Sequence, residues 1–340
     1  MERHPCALTD RRSPLEGRGR IESGVVYGTA GEGGRNLLCN VYRPPPSAPN
    51  FPSLPDGRRV AVLVIHGGGF NKEDDQEGGW WPDKRELDIV AKFLARAGYV
   101  CVCADYRTRE EAKFPAMLHD CKACVRWMRA SADRLGISPD HICSTGVSAG
   151  GYLSLMLAGV GHGLYPKLEG NGGNQTFSSE ISACVPIDSH VLMDRPKEEK
   201  EREEHFPFFD TSATDEDFRS FSPLSYIRPT FPPTCFIYGS GDDPKAFMRG
   251  MKMHQELHER GVHTDYHLYA AAPHCFFCDP EMIYAVMEQS ILFLDRIFRP
   301  SKFRYPIDGN PGARMPDWSK GGPDVTSEIL DSVWEKYDEK

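Results

Sequence analysis

Three short segments of the sequence carry residue types that can do nucleophilic chemistry. The first is STGVSAGG, residues 144–151, in which Ser148 lies between Gly146 and Gly150. The pattern G-x-S-x-G is typical of a tight turn that presents a serine hydroxyl as a nucleophile. Such a hydroxyl needs a base beside it, a group that orients the base, and donors for the oxyanion that forms. The other two segments are expected to supply these groups.

The second segment is HGGGF, residues 66–70, which directly follows the apolar run VAVLVI. Glycines here would let backbone N–H groups approach a substrate oxygen closely, because no Cβ stands in the way. We expect an oxyanion hole formed by Gly68 and Gly69 together with the N–H of Ala149. One such donor contributes about 3 kcal/mol in the transition state. The alternative is a glycine loop that only passes close to a cofactor or another strand.

The third segment type is a loop that follows a β-rich run and carries an acid or a base. GSGDDP follows TCFIY and contains Asp242 and Asp243, and APHCFF follows DYHLY and contains His274. Loops at the carboxyl ends of parallel strands meet at one edge of a sheet, where such folds place their sites. We therefore predict Ser148, Asp242 and His274 as a catalytic triad, in the chain order serine, acid, histidine. Asp243 remains an alternative acid.

Four other histidines are weaker candidates for the base. They lie on a predicted helix, on the turn after it, and inside a predicted strand, rather than in a loop at a strand end; they are His254, His258, His263 and His267.

The elements that must position these segments are predicted from apolar patterning. Strands are predicted at residues 60–65, 99–104, 141–145, 183–187, 234–238 and 265–269. Most of these runs lack alternation and are expected to be buried on both faces, as parallel strands are. Helical spacing of apolar residues predicts helices within 87–94, 117–128 and 283–297. The predicted fold is α/β, a mostly parallel sheet covered by helices on both faces.

The chain divides into a catalytic domain and two flanks. The domain is predicted over residues 37–299, after an amino-terminal flank 1–36 and before an extension 300–340 that ends in a short amphipathic helix. That helix could dock on this chain or on a second copy, which leaves a homo-oligomer open. Residues 189–233 form an insertion with the charged run PKEEKEREEHFPFFD. Such a run is typical of a solvated helix face, whereas its position near the site suits a lid.

Composition excludes several partners. The chain has 340 residues, 40% hydrophobic and 26% charged, which is typical of a globular protein. A net charge of −9 argues against a nucleic-acid or anionic-membrane surface, and no run of about 18 apolar residues could span a membrane. The polar first twenty residues and eleven cysteines without framework spacing favour a cytoplasmic location, and a secreted protein whose signal has been removed is the alternative.

Two C-x-x-C pairs could suggest zinc, namely Cys121–Cys124 and Cys275–Cys278. The first pair falls on a core-facing helical pattern, and the second would restrain the loop that carries the predicted base. We therefore interpret both pairs as buried thiols that pack as small hydrophobic side chains, and we predict no metal.

These segments together resemble the α/β-hydrolase superfamily, and within it the hormone-sensitive-lipase-like and acetyl/feruloyl esterase branch. The resemblance extends from about residue 37 to 298 and is carried by HGGGF, GYVCVCADYRTREEAKFPAMLHDCKACVRWMR, SPDHICSTGVSAGG, PPTCFIYGSGDD and the histidine of APHCFF. It implies a carboxylic-ester hydrolase that uses Ser148, Asp242 and His274 without a cofactor. Val147 departs from the branch, which usually has an acidic residue there, and the long cap of lipase-like members is not obvious. Both departures favour the compact esterases that deacylate plant-wall sugars.

The expected substrate is a small-molecule or carbohydrate ester with a short acyl or cinnamoyl group. Side chains expected to line its pocket are Phe70, Trp80, Trp81, Tyr106 and Phe276. Two alternatives stay open at this point. One is a formamidase acting on amides like N-formylkynurenine, and the other is a non-catalytic hydrolase fold used for binding.

Overall fold

The computed structural model describes residues 19–299 except 32, 47, 49–53, 72–84, 199, 201–205, 207 and 211. Trp80 and Trp81 lie outside the described residues, and so does the extension 300–340 with its predicted helix.

Within this part of the chain, eight strands form one sheet. They are β1 Ile21–Thr29, β2 Asn36–Tyr42, β3 Arg59–Ile65, β4 Val100–Ala104, β5 Ile137–Val147, β6 Cys184–Ile187, β7 Thr234–Gly239 and β8 Thr264–Tyr269. Their order across the sheet is β1-β2-β4-β3-β5-β6-β7-β8. Strand β2 runs antiparallel to both neighbours, and all pairs from β4 to β8 are parallel. The predicted mostly parallel sheet is confirmed.

The described helices cover both faces of the sheet. They are α1 Arg85–Arg96, α2 Ala116–Ala130, α3 Ala132–Leu135, α4 Ala149–Val160, α5 Asp215–Ser220, α6 Pro244–Glu259 and α7 Met282–Phe298. Helices α2, α4 and α6 pack on one face, and α1 and α7 pack on the other. None of the helices within the described ranges is both long and apolar enough to cross a membrane.

Strand β3 shows why the central strands read as unbroken apolar runs. Successive side chains of a strand point to opposite faces of its sheet. The side chains at 61, 63 and 65 enter one core, and those at 60, 62 and 64 enter the other. Because both faces are covered, every position from 60 to 65 is apolar and buried. The polar residues needed for chemistry can therefore lie only beyond the strand ends.

Strand β1 corrects the predicted amino-terminal flank 1–36. It pairs antiparallel with β2 and has register shifts between Glu22 and Val25 and between Val26 and Gly28. Tyr27 is the one residue of β1 that is buried, and its hydroxyl donates to the carbonyl of Asp105 at 2.6 Å. An edge strand with one buried position has no clear apolar pattern. For this reason no strand was predicted at residues 21–29.

Helix α4, which begins directly after Ser148, is held at its far end by two basic side chains. Arg228 donates to the carbonyls of Ala158, at 3.1 Å, and Gly159, and Lys122 donates to that of Gly161. Cations at this end of a helix offset its partial negative charge and satisfy its last carbonyls. Two basic side chains thus anchor the carboxyl end of the helix that follows Ser148.

Candidate active site

Ser148 stands in a strained turn between β5 and α4. Its φ of 54° and ψ of −118° lie in a region that non-glycine residues seldom occupy. The N–H of Ser148 donates to the carbonyl of Ile187 at 2.9 Å, and its own carbonyl accepts from Tyr152 at 2.9 Å. The residue is partly exposed, while both its neighbours are buried. This is the geometry expected of a nucleophile elbow.

Close backbone packing explains the glycines around Ser148. A Cβ on Gly146 would lie 2.6 Å from the carbonyl oxygen of Ile65, and one on Gly150 would lie 2.0 Å from the same oxygen. Neither distance is compatible with a side chain, and a backbone oxygen of the sheet cannot move aside. The glycines of the motif are therefore required by the approach of the elbow to the end of β3.

The loop of residues 66–70, here called the oxyanion loop, lies directly against this elbow. A Cβ on Gly67 would lie 2.9 Å from the carbonyl oxygen of Val147 and 3.4 Å from Cβ of Ser148. Gly68 and Gly69 follow with φ of 91° and 60°, and both are exposed. Ala149 begins α4, where backbone N–H groups have no partner within the helix. The structure thus places the loop that carries Gly68 and Gly69 against the Ser148 elbow, and the oxyanion role of these residues and of Ala149 stays a prediction.

Two of the predicted pocket residues instead support this loop from below. Tyr106 is fully buried, stacks on His66 with ring centroids 3.9 Å apart, and donates to the carbonyl of His66 at 3.0 Å. Phe70 is 3% exposed, with φ of 63°, and its ring lies 4.6 Å from that of Phe208. The expectation that they line an open pocket is corrected, because both rings are enclosed by the core.

Phe276 is likewise buried. It lies in a short 3-10 turn, Phe276–Cys278, with its ring 5.0 Å from Tyr269 of β8. Its ring packs in the core under the loop that carries His274, so the prediction that it lines the pocket is corrected as well.

The predicted acid and base are hydrogen-bonded to each other. Nδ1 of His274 lies 2.7 Å from Oδ2 of Asp242. The imidazole side chain is 40% exposed, and the carboxylate beside it is 13% exposed. A carboxylate at Nδ1 fixes the ring orientation and leaves Nε2 to exchange protons with the nucleophile.

Asp243 has a different role. Its carboxylate accepts the N–H of Lys245 at 2.9 Å and caps the amino terminus of α6. The geometry therefore favours Asp242 over Asp243 as the triad acid. The four alternative histidines lie where they were predicted, two on α6, one on the turn after it and one in β8; they are His254, His258, His263 and His267.

Sequence reasoning missed a second carboxylate at the site, that of Asp188. It directly follows β6, is fully buried, and has a φ of 46°. Its Oδ1 accepts the N–H of Gly239 at 3.0 Å, and its Oδ2 accepts the N–H of Cys275 at 2.9 Å. Burial raises the pKa of Asp188 to about 6. The available signal was the same one that identified Asp242, an acidic residue directly after a predicted buried strand.

Hydrogen bonds, rather than a shared metal ion, account for the arrangement of Asp188, Asp242 and His274. Within the described residues, Asp188, Asp242 and His274 form the one close group of side chains able to ligate a metal, with atoms within 4.8 Å of one another. Asp242 and His274 are already bonded to each other, and Asp188 accepts two backbone N–H groups. Each short contact is thus accounted for by a hydrogen bond.

The C-x-x-C pairs differ from each other. Cys121 and Cys124 are buried on α2, and burial raises the pKa of both thiols well above the usual value, so neither is a ready thiolate ligand. Cys278 is exposed and Cys275 is partly exposed, which corrects the expectation that the second pair is buried. The second pair lies at the surface because its loop presents His274.

The described part of the insertion 189–233 packs on the oxyanion loop. Its rings form an aromatic cluster with Phe114, made of Phe206, Phe208, Phe209, Phe218 and Phe221. The carbonyl of Phe208 accepts the N–H of Phe114 at 2.8 Å. This segment is therefore docked through aromatic rings, while the described charged residues before them, Lys197, Glu198 and Lys200, are exposed, as expected of a solvated face. The charged residues 201–205 lie outside the described residues, and a lid stays a prediction.

Comparisons with known proteins agree with this architecture. The family model BD-FAE matches residues 51–257, more than half of the chain. The matched range contains Ser148 and Asp242 and ends before His274.

Curated relatives are named as esterases or hydrolases. Esterase LipQ of Mycobacterium tuberculosis is 26% identical over 244 residues, which cover 69% of this chain and 52% of that protein. The AB hydrolase superfamily protein B1A11.02 of Schizosaccharomyces pombe is 27% identical over 240 residues, 66% of each chain. This chain also spans 42% of Esterase LipC of M. tuberculosis. It thus covers about half the length of the two mycobacterial relatives.

Solved structures show the same fold. The apo form of Thermogutta terrifontis esterase 2 matches with a TM-score of 0.65 and 25% identity, covering 83% of this chain and 96% of that one. That likeness, the sheet order and the elbow establish the α/β-hydrolase fold. Together with the family model that matches residues 51–257, they show that the chain belongs to the BD-FAE family of the α/β-hydrolase superfamily.

Proposed function

We propose that the protein is a serine carboxylesterase that acts through an acyl-enzyme. The observation that carries the proposal is that Ile187 and Asp188 link a strained Ser148 elbow to a hydrogen-bonded His274–Asp242 pair. Two consecutive residues connect them, because Ile187 accepts the N–H of Ser148 and Asp188 accepts the N–H of Cys275, next to His274. The esterase names of LipQ and LipC support the same activity.

The proposed reaction uses groups of this chain alone. The hydroxyl of Ser148 attacks the ester carbonyl while Nε2 of His274 accepts its proton, and Asp242 stabilises the imidazolium. The N–H groups of Gly68, Gly69 and Ala149 would hold the oxyanion. The imidazolium then gives its proton to the leaving alcohol. Water, deprotonated by the same imidazole, attacks the acyl-serine and releases the acid.

The proposed substrates are esters of short acyl groups, with cinnamoyl esters and acetylated or feruloylated plant-wall carbohydrate as the specific candidates. Structures of T. terrifontis esterase 2 hold butyrate and propionate, which supports short acyl groups. The BD-FAE match and the resemblance to acetyl and feruloyl esterases support the carbohydrate esters.

An acyl-chain series tests this proposal. Hydrolysis of p-nitrophenyl esters from acetate to octanoate should be fastest for the shortest acyl groups, and Ser148→Ala should abolish it. Methyl ferulate, acetylated xylan and N-formylkynurenine, measured under the same conditions, separate cinnamoyl esterase, carbohydrate esterase and formamidase. Preferential turnover of N-formylkynurenine would replace the ester proposal with the formamidase.

The absence of Ser148-dependent turnover on every substrate would favour a non-catalytic binding protein. The hydrogen bond between His274 and Asp242 argues against a binding protein, because a fold used only for binding does not need an oriented base. The cytoplasmic location and the oligomeric state stay predictions. Among the described residues, none of the ten cysteines forms a disulfide.

A further inference from the structure

Asp188 lies between the two halves of the site. Its backbone N–H donates to the carbonyl of Ile237 in β7 at 2.9 Å. Its carboxylate accepts from Gly239, which ends β7 before the Asp242 loop, and from Cys275, which follows His274. One side chain therefore ties the loop of the triad acid to the loop of the base.

The conformation and the burial of Asp188 are both unfavourable in isolation. A non-glycine residue with a φ of 46° costs about 1 kcal/mol, and a buried carboxylate loses its hydration. Features of this kind persist where surrounding structure fixes them, and they concentrate at functional sites. The two backbone hydrogen bonds offset part of this cost and fix both oxygens.

Asp188 is also close to the imidazole. A carboxylate oxygen of Asp188 lies within 4.8 Å of a ring nitrogen of His274 and of a carboxylate oxygen of Asp242. A negative charge at this range favours the protonated imidazole. The imidazolium forms after the serine proton is taken, so a second charge beside the ring would stabilise that state.

We propose that Asp188 is a positioning residue for His274, which it fixes through the N–H of Cys275 while supplying a second negative charge beside the imidazolium. The proposal rests on the esterase function proposed above. It differs from the triad role of Asp242 because the hydrogen bonds of Asp188 go to backbone N–H groups on both loops.

Other charged groups near the imidazole must be held constant in any pH experiment. Asp242 contacts the ring directly, and His190, two residues after Asp188, lies near both His274 and Asp242. His190 is also within electrostatic range of Asp243, which caps α6, and of Arg249 on α6, and Arg249 is paired with Asp194. The Asp188 variants keep all of these residues, and the control changes one of them, Asp243.

The test compares two neutral variants with a matched control. Asp188→Asn removes the charge at nearly constant shape, and Asp188→Ser removes it while leaving an oxygen able to accept an N–H. The control Asp243→Asn removes a charge nearby but keeps a side chain that caps α6 well. Hydrolysis of p-nitrophenyl acetate is followed from pH 4 to 9, and rates are expressed per site labelled by an organophosphate.

We expect both Asp188 variants to lose about 10²-fold in kcat with a small change in KM, because the base is displaced. The acidic limb of the kcat/KM profile should move about one pH unit toward acid, because the neutral imidazole is favoured without the charge. Asp243→Asn should match the wild type in both. Asp188→Ser keeps the test valid if the amide of Asn, facing two N–H donors, prevents folding.

Two results would overturn the proposal. One is a labelled Asp188 variant with wild-type kcat and an unmoved acidic limb; the other is a rate loss shared equally by Asp243→Asn. In both cases the wild type still hydrolyses the ester, so the esterase function stands while the role of Asp188 falls. If the wild type neither hydrolyses nor labels, the proposed function itself fails.

Discussion

The nucleophile half and the acid–base half of the site are held in place by different kinds of contact. The elbow and the oxyanion loop are fixed by backbone packing, in which Gly146 and Gly150 pass within van der Waals contact of the end of β3. The acid–base half is fixed by carboxylates, with Asp242 on the imidazole and Asp188 on the backbone of two loops. The first half should therefore be sensitive to added volume, and the second to lost charge.

The difference follows from what each half must do. A nucleophile needs one fixed position, and rigid backbone contacts provide it at the cost of strain at Ser148. A base must change its charge in each turnover, which requires some exposure and groups of opposite charge nearby. His274 is accordingly the more exposed member of its pair.

Removing the base should have the largest effect on activity. We expect His274→Ala to lower kcat by about 10⁶-fold, since a triad acts as a unit. His267→Ala is the control, because His267 lies in β8 and pairs with Ile237 rather than with the site. Ester hydrolysis by the two purified variants measures the difference. Equal losses in both would show that the structure assigns the base wrongly.

Neutralising the acid should have the next largest effect. Asp242→Asn should lower kcat by about 10⁴-fold, because an amide holds the imidazole in the wrong tautomer. Asp243→Asn should leave kcat near the wild-type value, since an Asn also caps α6. Steady-state kinetics of both variants at pH 8 decide between them. A reversed order of losses would transfer the acid role to Asp243.

Adding one methyl group at Gly150 should disrupt the half of the site that carries Ser148. Gly150→Ala places a Cβ 2.0 Å from the carbonyl oxygen of Ile65, so we expect a loss of about 3 kcal/mol in unfolding free energy. Its kcat should fall about 10²-fold through displacement of Ser148. Gly163→Ala, where a Cβ meets nothing within 4 Å, should cost about 1 kcal/mol for its φ of 69° and keep activity. Urea unfolding measures the stability of the two variants, and ester hydrolysis measures their kcat. A Gly150→Ala protein as active as Gly163→Ala would show that the close approach of Gly150 to Ile65 does not position Ser148.

The smallest expected effect links the insertion to the oxyanion loop. Phe208→Leu and Phe218→Leu should each cost about 1 kcal/mol in stability, since both rings are buried in the aromatic cluster. Phe208 packs on Phe70, whereas the ring contacts of Phe218 are with Phe206 and Phe209. We expect Phe208→Leu alone to lower kcat, by about threefold, with KM unchanged. A decrease of the same size in Phe218→Leu would show that only general stability is involved.

Much of the site could be predicted because its residues follow buried strands. Ser148, Asp242 and His274 each lie beyond an apolar run that is readable from local pattern, and they follow one another in the chain order serine, acid, histidine. Five of the six predicted strands were equally clear, since both their faces are buried, whereas β8 is an edge strand without a buried residue.

The features that the sequence did not predict depend on contacts between distant segments. Asp188 follows a predicted strand, as Asp242 does, but its link to the site is visible only where Gly239, at the end of β7, and Cys275, after His274, donate to its carboxylate. Phe70 and Tyr106 were expected in the pocket because they lie near catalytic motifs, yet Phe208 and His66 enclose them. Strand β1 has one buried residue, too few for a period to be visible.

Covalent labelling with an organophosphate tests whether Ser148 is the nucleophile. The wild-type protein and Ser148→Ala are incubated with paraoxon, and intact mass and peptide spectra are recorded beside residual esterase activity. We predict one diethyl phosphoryl group per chain on the peptide that contains Ser148, with activity lost in proportion, and no adduct in Ser148→Ala. A label on another residue, or esterase activity that survives in Ser148→Ala, would contradict the account.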